Sequence, residues 1–152
     1  MYSLGANNRL GNQYGLIMGE ICELTRIALN GKQGITSQAL SISLKLLPKY
    51  IPLVRLVVPF ADQNQNHYGI IYQATNWYYT GIGKSTPEYY INGRWMHQRQ
   101  VGSLNIPLIG LKDKVKTRQG LNKFKYLYPI DKTLTQLCKK ISKPYPKHAA
   151  EA

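Results

Sequence analysis

Acidic residues are scarce. Seven Asp and Glu stand against 20 Lys and Arg, for a formal charge of +13 across 152 residues. A field of that sign attracts polyanions, nucleic acid above all, with a basic protein of no nucleic-acid role as the plain alternative. Cysteine is scarcer still: Cys22 and Cys138 stand alone and far apart. That excludes a disulfide framework and the paired-cysteine spacing of structural zinc, and points to a thiol-reduced, cytoplasmic protein. The three histidines, His67, His97 and His148, lack ligand spacing, so no metal is expected. No apolar run approaches the roughly 20 residues of a membrane span. The Gly- and Asn-rich stretch Met1 to Leu16 lacks the basic-then-apolar order of a signal peptide. There is no internal repeat and no serine nucleophile elbow.

What is present is enough apolar content, 43%, for a core that needs no staple. The length suggests one domain, expected over 1–140, followed by a basic, disordered tail over 141–152 with Pro144, Pro146 and Lys147. The charge is uneven. Residues 1–81 carry 6 basic and 3 acidic groups, and residues 82–152 carry 14 and 4.

Leu16 to Leu29 reads as a strand region, followed by the polar loop Asn30–Gly34. Thr36 or Ser37 is a plausible N-cap for a helix over 37–47, in which Leu40, Leu44 and Leu47 recur at helical spacing until Pro48 and Pro52 close it. Leu53 to Phe60 reads as a buried strand, so residues 16–60 form a strand–loop–helix–strand unit of an α/β fold. A short helix is expected over 67–75 with Ile70, Ile71 and Ala74 toward the core, then a strand over 77–81. Asn92-Gly93 marks a hairpin. Lys112 to Arg118 reads as an exposed loop, and Phe124 to Tyr128 as the last strand.

Three constellations carry possible chemistry. Gly31-Lys32-Gln33-Gly34-Ile35-Thr36-Ser37 precedes a helix, where open backbone N–H groups and the helix dipole suit a phosphate, although an ordinary strand-to-helix turn explains it equally well. Phe60 to Gly81 gathers Asp62, His67, amides and tyrosines at a strand end, where ligands of open α/β sheets collect. His67 near a helix start stays neutral and suits a base; the bland alternative makes Asp62 a cap and His67 a surface residue. Lastly, the 12 tyrosines and 2 tryptophans interleave with Lys84, Arg94, His97 and Arg99, a pattern that suits base stacking beside phosphates but also ordinary core packing.

The stretch Ala61-Asp62, His67, Gly69, Ile71-Tyr72-Gln73-Ala74, Asn76-Trp77, Tyr79-Thr80-Gly81 resembles the core pattern of the Mom family of phage DNA-modification proteins. Glu23-Leu24-Thr25-Arg26, Lys125-Tyr126 and Asp131-Lys132 extend the resemblance over most of residues 20–132. It implies a GNAT-like mixed sheet with flanking helices, shortened at the N-terminus relative to that fold. It also implies a transferase that converts adenine in DNA to an N6-carbamoylmethyl form, protecting phage DNA from restriction in the host cytoplasm. The implied cofactor is acetyl-CoA or a related acyl-CoA, held by Gln33, Gly34, Ile35, Thr36, Ser37 and Asn66. Asp62 or His67 would accept a proton from N6, and Tyr72 would protonate the leaving thiolate. Tyr68, Asn76, Trp77 and Tyr79, with Lys84, Arg94 and Arg99, would meet the DNA. An N-acetyltransferase acting on a small amine or a protein lysine, and a non-catalytic DNA-binding remnant, are the other readings.

Overall fold

A computed structural model of the chain describes residues 1–4, 9–28, 30–32, 34–62, 68–83, 85–120 and 122–147. The described elements follow the order β1 (Tyr2–Ser3), β2 (Ile21–Leu24), α1 (Thr36–Tyr50), β3 (Leu56–Asp62), α2 (Ile70–Ala74), β4 (Tyr78–Gly83), β5 (Pro87–Ile91), β6 (Arg94–His97), α3 (Gln98–Ser103), β7 (Thr117–Gln119), β8 (Lys123–Pro129) and α4 (Thr135–Ile141). They fall into two compact units, Met1–Ile82 with Phe124–Ala152, and Gly83–Lys123.

The larger unit is a mixed α/β structure built on a five-stranded sheet of order β1-β2-β3-β8-β4. Both faces of the sheet are covered, and the alternation of side chains along each strand explains how. From β3, Val57 and Ala61 join Leu40, Leu44 and Leu47 of α1, with Cys22, Tyr72, Trp77, Tyr79, Phe124 and Tyr126. Leu56 and Val58 point the other way, into a second cluster with Leu10, Tyr14, Leu16, Leu127, Leu134 and Cys138. A strand buried on both faces needs the unbroken apolar run Leu56-Val57-Val58-Pro59-Phe60 that the sequence supplies.

Several expectations need correction. β2 is only four residues long, because Gly19 turns the chain at φ 100 just before it and Ile17 and Met18 stay exposed. Pro48 does not end α1. It lies in the last turn, where its missing N–H forfeits one bond, and Ile51 N–H still reaches Leu47 O at 2.8 Å. α2 is one turn long and buries Tyr72, whereas Ile70 and Ala74 are exposed. Its expected start at His67 lies outside the described residues. The chain after Lys139 does not fray at once. Cys138 is buried within α4, Lys143 N–H donates to Tyr79 O at 2.7 Å, and Tyr145 Oη donates to Trp77 O at 2.7 Å.

The smaller unit is a three-stranded sheet of order β6-β5-β7. The Asn92-Gly93 hairpin forms as expected, with both residues at positive φ (51 and 79) in the turn that such residues tolerate. Tyr89, Met96, Val101 and Leu111 form its core. The charged stretch expected as a loop instead contributes β7, an edge strand paired to β5 through its backbone. Arg118 of β7 bonds Glu88 at 2.7 Å and lies 4.4 Å from the Trp95 ring centroid, so its charge is held from two sides.

Candidate active site

β2 and β3 are parallel, with Leu24 level with Pro59. The chain therefore leaves both strands at the same edge of the sheet. α1 connects the two strands, so its first turn returns to that edge as well. Asp62 closes β3 there, half-buried.

Thr36 and Ser37 are the first helical residues, not the cap. Ile35 occupies the cap position in extended conformation (φ −136, ψ 120), makes no side-chain cap, and the first turn has no acid. A β-branched apolar residue has no oxygen to offer the first N–H groups, so these keep their polarity for another partner. Gly34 and Ile35 are exposed, and a Cβ at Gly34 would meet nothing within 4 Å. Gln33, Asn66, His67 and Lys84 lie outside the described residues.

After Asp62 the described chain resumes at Tyr68 and Gly69. Gly69 adopts φ 74 and starts α2. Tyr126 Oη donates to Tyr68 O at 2.6 Å, while Gln73 Nε2 donates to Tyr126 Oη and to Tyr68 O, each at 3.2 Å. This knot fixes the backbone of Tyr68, and its ring stacks on Phe124 at 5.7 Å and 30°. Asn76, exposed at φ 60, turns the chain from α2 toward β4, a conformation asparagine accepts more readily than most residues.

The aromatic residues expected to meet DNA separate by burial. Trp77 is 0% exposed, with the rings of Tyr72 and Tyr128 at 5.2 and 5.1 Å. Among the described residues its Nε1 has no acceptor. Tyr79 is buried against Phe124 and Tyr126. Neither ring has a face open to a base. Tyr68 is half-buried and keeps part of its surface. Tyr72 is buried in the same cluster, and burial, aided by Tyr126 and Tyr2, pushes its phenol up to about 12. Tyr126 is likewise raised to about 12, mainly by burial and against the lowering effect of the Gln73 bond.

Arg94 and Arg99 belong to the smaller unit and are exposed. Arg99 N–H donates to His97 Nδ1 at 3.1 Å, and His97 Nε2 meets Thr86 Oγ1, so both ring nitrogens are engaged. His97 N–H reaches Gln100 Oε1 at 2.9 Å, completing a reciprocal cap on α3. Gln73 and Tyr126, which brace Tyr68, carry no mark in the sequence as a pair. Gln73 lay inside the quoted motif, but its partner is far along the chain and only the fold joins them.

Among the described residues no group of three or more His, Cys, Asp or Glu side chains is placed to hold a metal, and no helix is long and apolar enough to cross a membrane.

Comparison with known proteins adds two findings. The model of the Mom protein family matches residues 1–147. The methylcarbamoylase mom of Escherichia phage Mu is 30% identical over 120 residues, covering 73% of this chain and 49% of that protein. The chain thus spans about half the length of that relative.

Proposed function

Because the chain belongs to the Mom protein family, we propose that it is a DNA-modifying transferase acting on the N6 amino group of adenine, and that it protects phage DNA from restriction in the host cytoplasm. The phage Mu relative carries the name methylcarbamoylase, which favours group transfer over mere binding. The structural observation that most supports the reading is the parallel pairing of β2 and β3, which brings the first turn of α1 and Asp62 to one edge of the sheet.

The residues at that edge fit a phosphate-bearing cofactor. Gly34 leaves the approach open, and the first turn of α1 has neither a side-chain cap nor a repelling acid. Gly34, Ile35, Thr36 and Ser37, with Gln33 and Asn66, would hold the pyrophosphate of acetyl-CoA or a related acyl-CoA, in the manner of GNAT-like transferases. Such a thioester supplies an activated carbon and a thiolate leaving group.

The chain's own residues then have distinct tasks. Adenine has to leave the base stack for N6 to be reached. Tyr68, with its ring fixed by Phe124 and its backbone by Tyr126 and Gln73, stacks on the extruded base. Trp77 and Tyr79, having no open face, act as supports that hold Tyr72 and Tyr126 in place. Asp62 or His67 accepts the proton that N6 loses. Tyr72, held protonated at neutral pH by burial, is the chain's own group that would supply a proton to the thiolate of a bound thioester. Asn76, Lys84, Arg94 and Arg99 contact the DNA, the cations through its phosphates. A small-amine acetyltransferase has no use for the charge gathered in residues 82–152.

The test is mass analysis of nucleosides from DNA of cells expressing the full chain. A modified adenine, absent from cells expressing the double variant Asp62→Asn, His67→Asn, is the expected result. Unmodified adenine in cells where the folded chain accumulates overturns the reading.

A further inference from the structure

The smaller unit's sheet carries three planar groups in mutual contact on its outer face. Alternation along β5 and β6 sends Tyr89, Ile91 and Met96 toward the core, so Glu88, Tyr90 and Trp95 lie on the opposite face. Tyr90 is level with Trp95, and the two rings meet edge to face at 5.3 Å. From β7, on the other flank of β5, Arg118 reaches across the central strand and sets its guanidinium 4.4 Å from the centroid of the Trp95 ring. Glu88, its partner in register, accepts from Nε at 2.7 Å and holds the guanidinium in that position. The planar groups stay open. Tyr90 is 39% exposed and the Arg118 side chain 50%, whereas the Glu88 side chain is only 19% exposed.

The same face is cationic. Tyr90 N–H donates to Lys116 O at 2.9 Å, so Lys116 stands opposite Tyr90. Alternation from Arg118 puts Lys116 on the outer face as well, where it is exposed. Residues 83–123 hold eight Lys and Arg against Glu88 and Asp113, and Arg118 already neutralises Glu88. Aromatic rings and guanidinium planes give unpaired bases a surface to stack on, and neighbouring cations meet the phosphates that join them. A duplex hides its base faces, so the matching polymer is single-stranded.

We propose that Tyr90, Trp95 and Arg118 form a stacking face for single-stranded DNA: a base lies on the Tyr90 ring and on the guanidinium that Trp95 backs, and Lys116 meets an adjoining phosphate. The proposal rests on the DNA-transferase reading for the choice of polymer. The face itself belongs wholly to the smaller unit.

The test is fluorescence anisotropy of labelled oligothymidylate and of an abasic oligomer of equal length, each titrated with the full chain. The two carry the same phosphates and differ only in their bases. The wild-type chain should bind oligothymidylate at least about fivefold more tightly. Tyr90→Ala removes a ring, and Arg118→Lys keeps the charge but loses the plane. Each should weaken binding of oligothymidylate about 5- to 100-fold while leaving the abasic oligomer within about twofold. Tyr90→Phe should keep both affinities. Equal wild-type affinity for the two oligomers overturns the stacking face, and so does a Tyr90→Ala chain that binds oligothymidylate like wild type. Polyglutamate that displaces the label as well as free oligothymidylate does so too, and would mark the face as one for an acidic protein. Adenine modification is scored separately. A chain with the expected preferences that modifies no adenine upholds the face and overturns the transferase reading. One that modifies adenine without preferring the base-bearing oligomer does the opposite.

Discussion

Gly69 and Tyr126 occupy each other's space: a Cβ at Gly69 would lie 2.7 Å from Cζ and 2.8 Å from Oη of the tyrosine. The missing side chain is what lets the phenol reach Tyr68 O. Tyr126 is fully buried and cannot step aside. Gly69→Ala therefore combines a left-handed backbone with a clash in the core, and should destabilise by about 2–4 kcal/mol. Thermal melting checks this, with a drop of about 5–15 °C expected. Tyr126→Phe, which removes only the hydroxyl, should cost about 1 kcal/mol.

Acid should weaken the fold through Asp131. Its carboxylate accepts Thr133 N–H at 2.8 Å and Arg55 Nε at 2.8 Å, and these bonds, Thr133 first, hold it down to about 2. Glu20, bonded by Ile17 N–H and Arg55, is shifted in the same direction. A carboxylate lowered in the folded state contributes stability that is fully present above its unfolded value of about 3.9 and is lost as pH falls toward 2. Melting temperature should be level above pH 5 and decline between about pH 4 and pH 2. Asp131→Asn should flatten much of that decline, and an unchanged decline would remove Asp131 as its source.

Both thiols should be inert in the native protein. Cys22 and Cys138 are buried in the clusters on opposite faces of the sheet, and burial pushes each up to about 11. A thiol reagent at pH 8 should label neither on the timescale of minutes and both after denaturation. Non-reducing and reducing gels should be identical.

Tyr72→Phe should lower the rate of adenine modification about 10- to 100-fold while changing the melting temperature little, since the ring contacts with Trp77 and Tyr126 survive. Its raised pKa implies that the wild-type rate gains no inflection from this phenol below about pH 11. A variant as fast as wild type would leave protonation of the sulfur to another group.

The β2–α1–β3 crossover was legible because helical and strand periodicities differ and each was expressed without interruption. Asn92-Gly93 was legible because a two-residue turn of that conformation admits few other pairs. β7 was not. Thr117, Arg118 and Gln119 are all exposed, so no alternation betrays a strand held by its backbone alone. α4 had a signal, Leu134, Leu137, Cys138 and Ile141 at helical spacing, obscured by the lysines and prolines around it. At the candidate site, the motif identified the residues but not their exposure. Trp77 and Tyr68 are equally aromatic in one dimension, and only the fold shows that one is fully buried and the other half-buried.

Arg55 stands just before β3, and Asp62 ends it. At the starting edge Arg55 binds Glu20 and Asp131 through its side chain, and its carbonyl accepts the N–H groups of Ile130 and Asp131. The ionic fastening and the proposed site thus occupy opposite rims of one sheet. Substitutions at the first should register in melting curves and leave turnover alone, and those at the second should do the reverse. Under the proposed function, the Asp62 edge can be retuned for a new sequence context while the Arg55 fastening stays as it is.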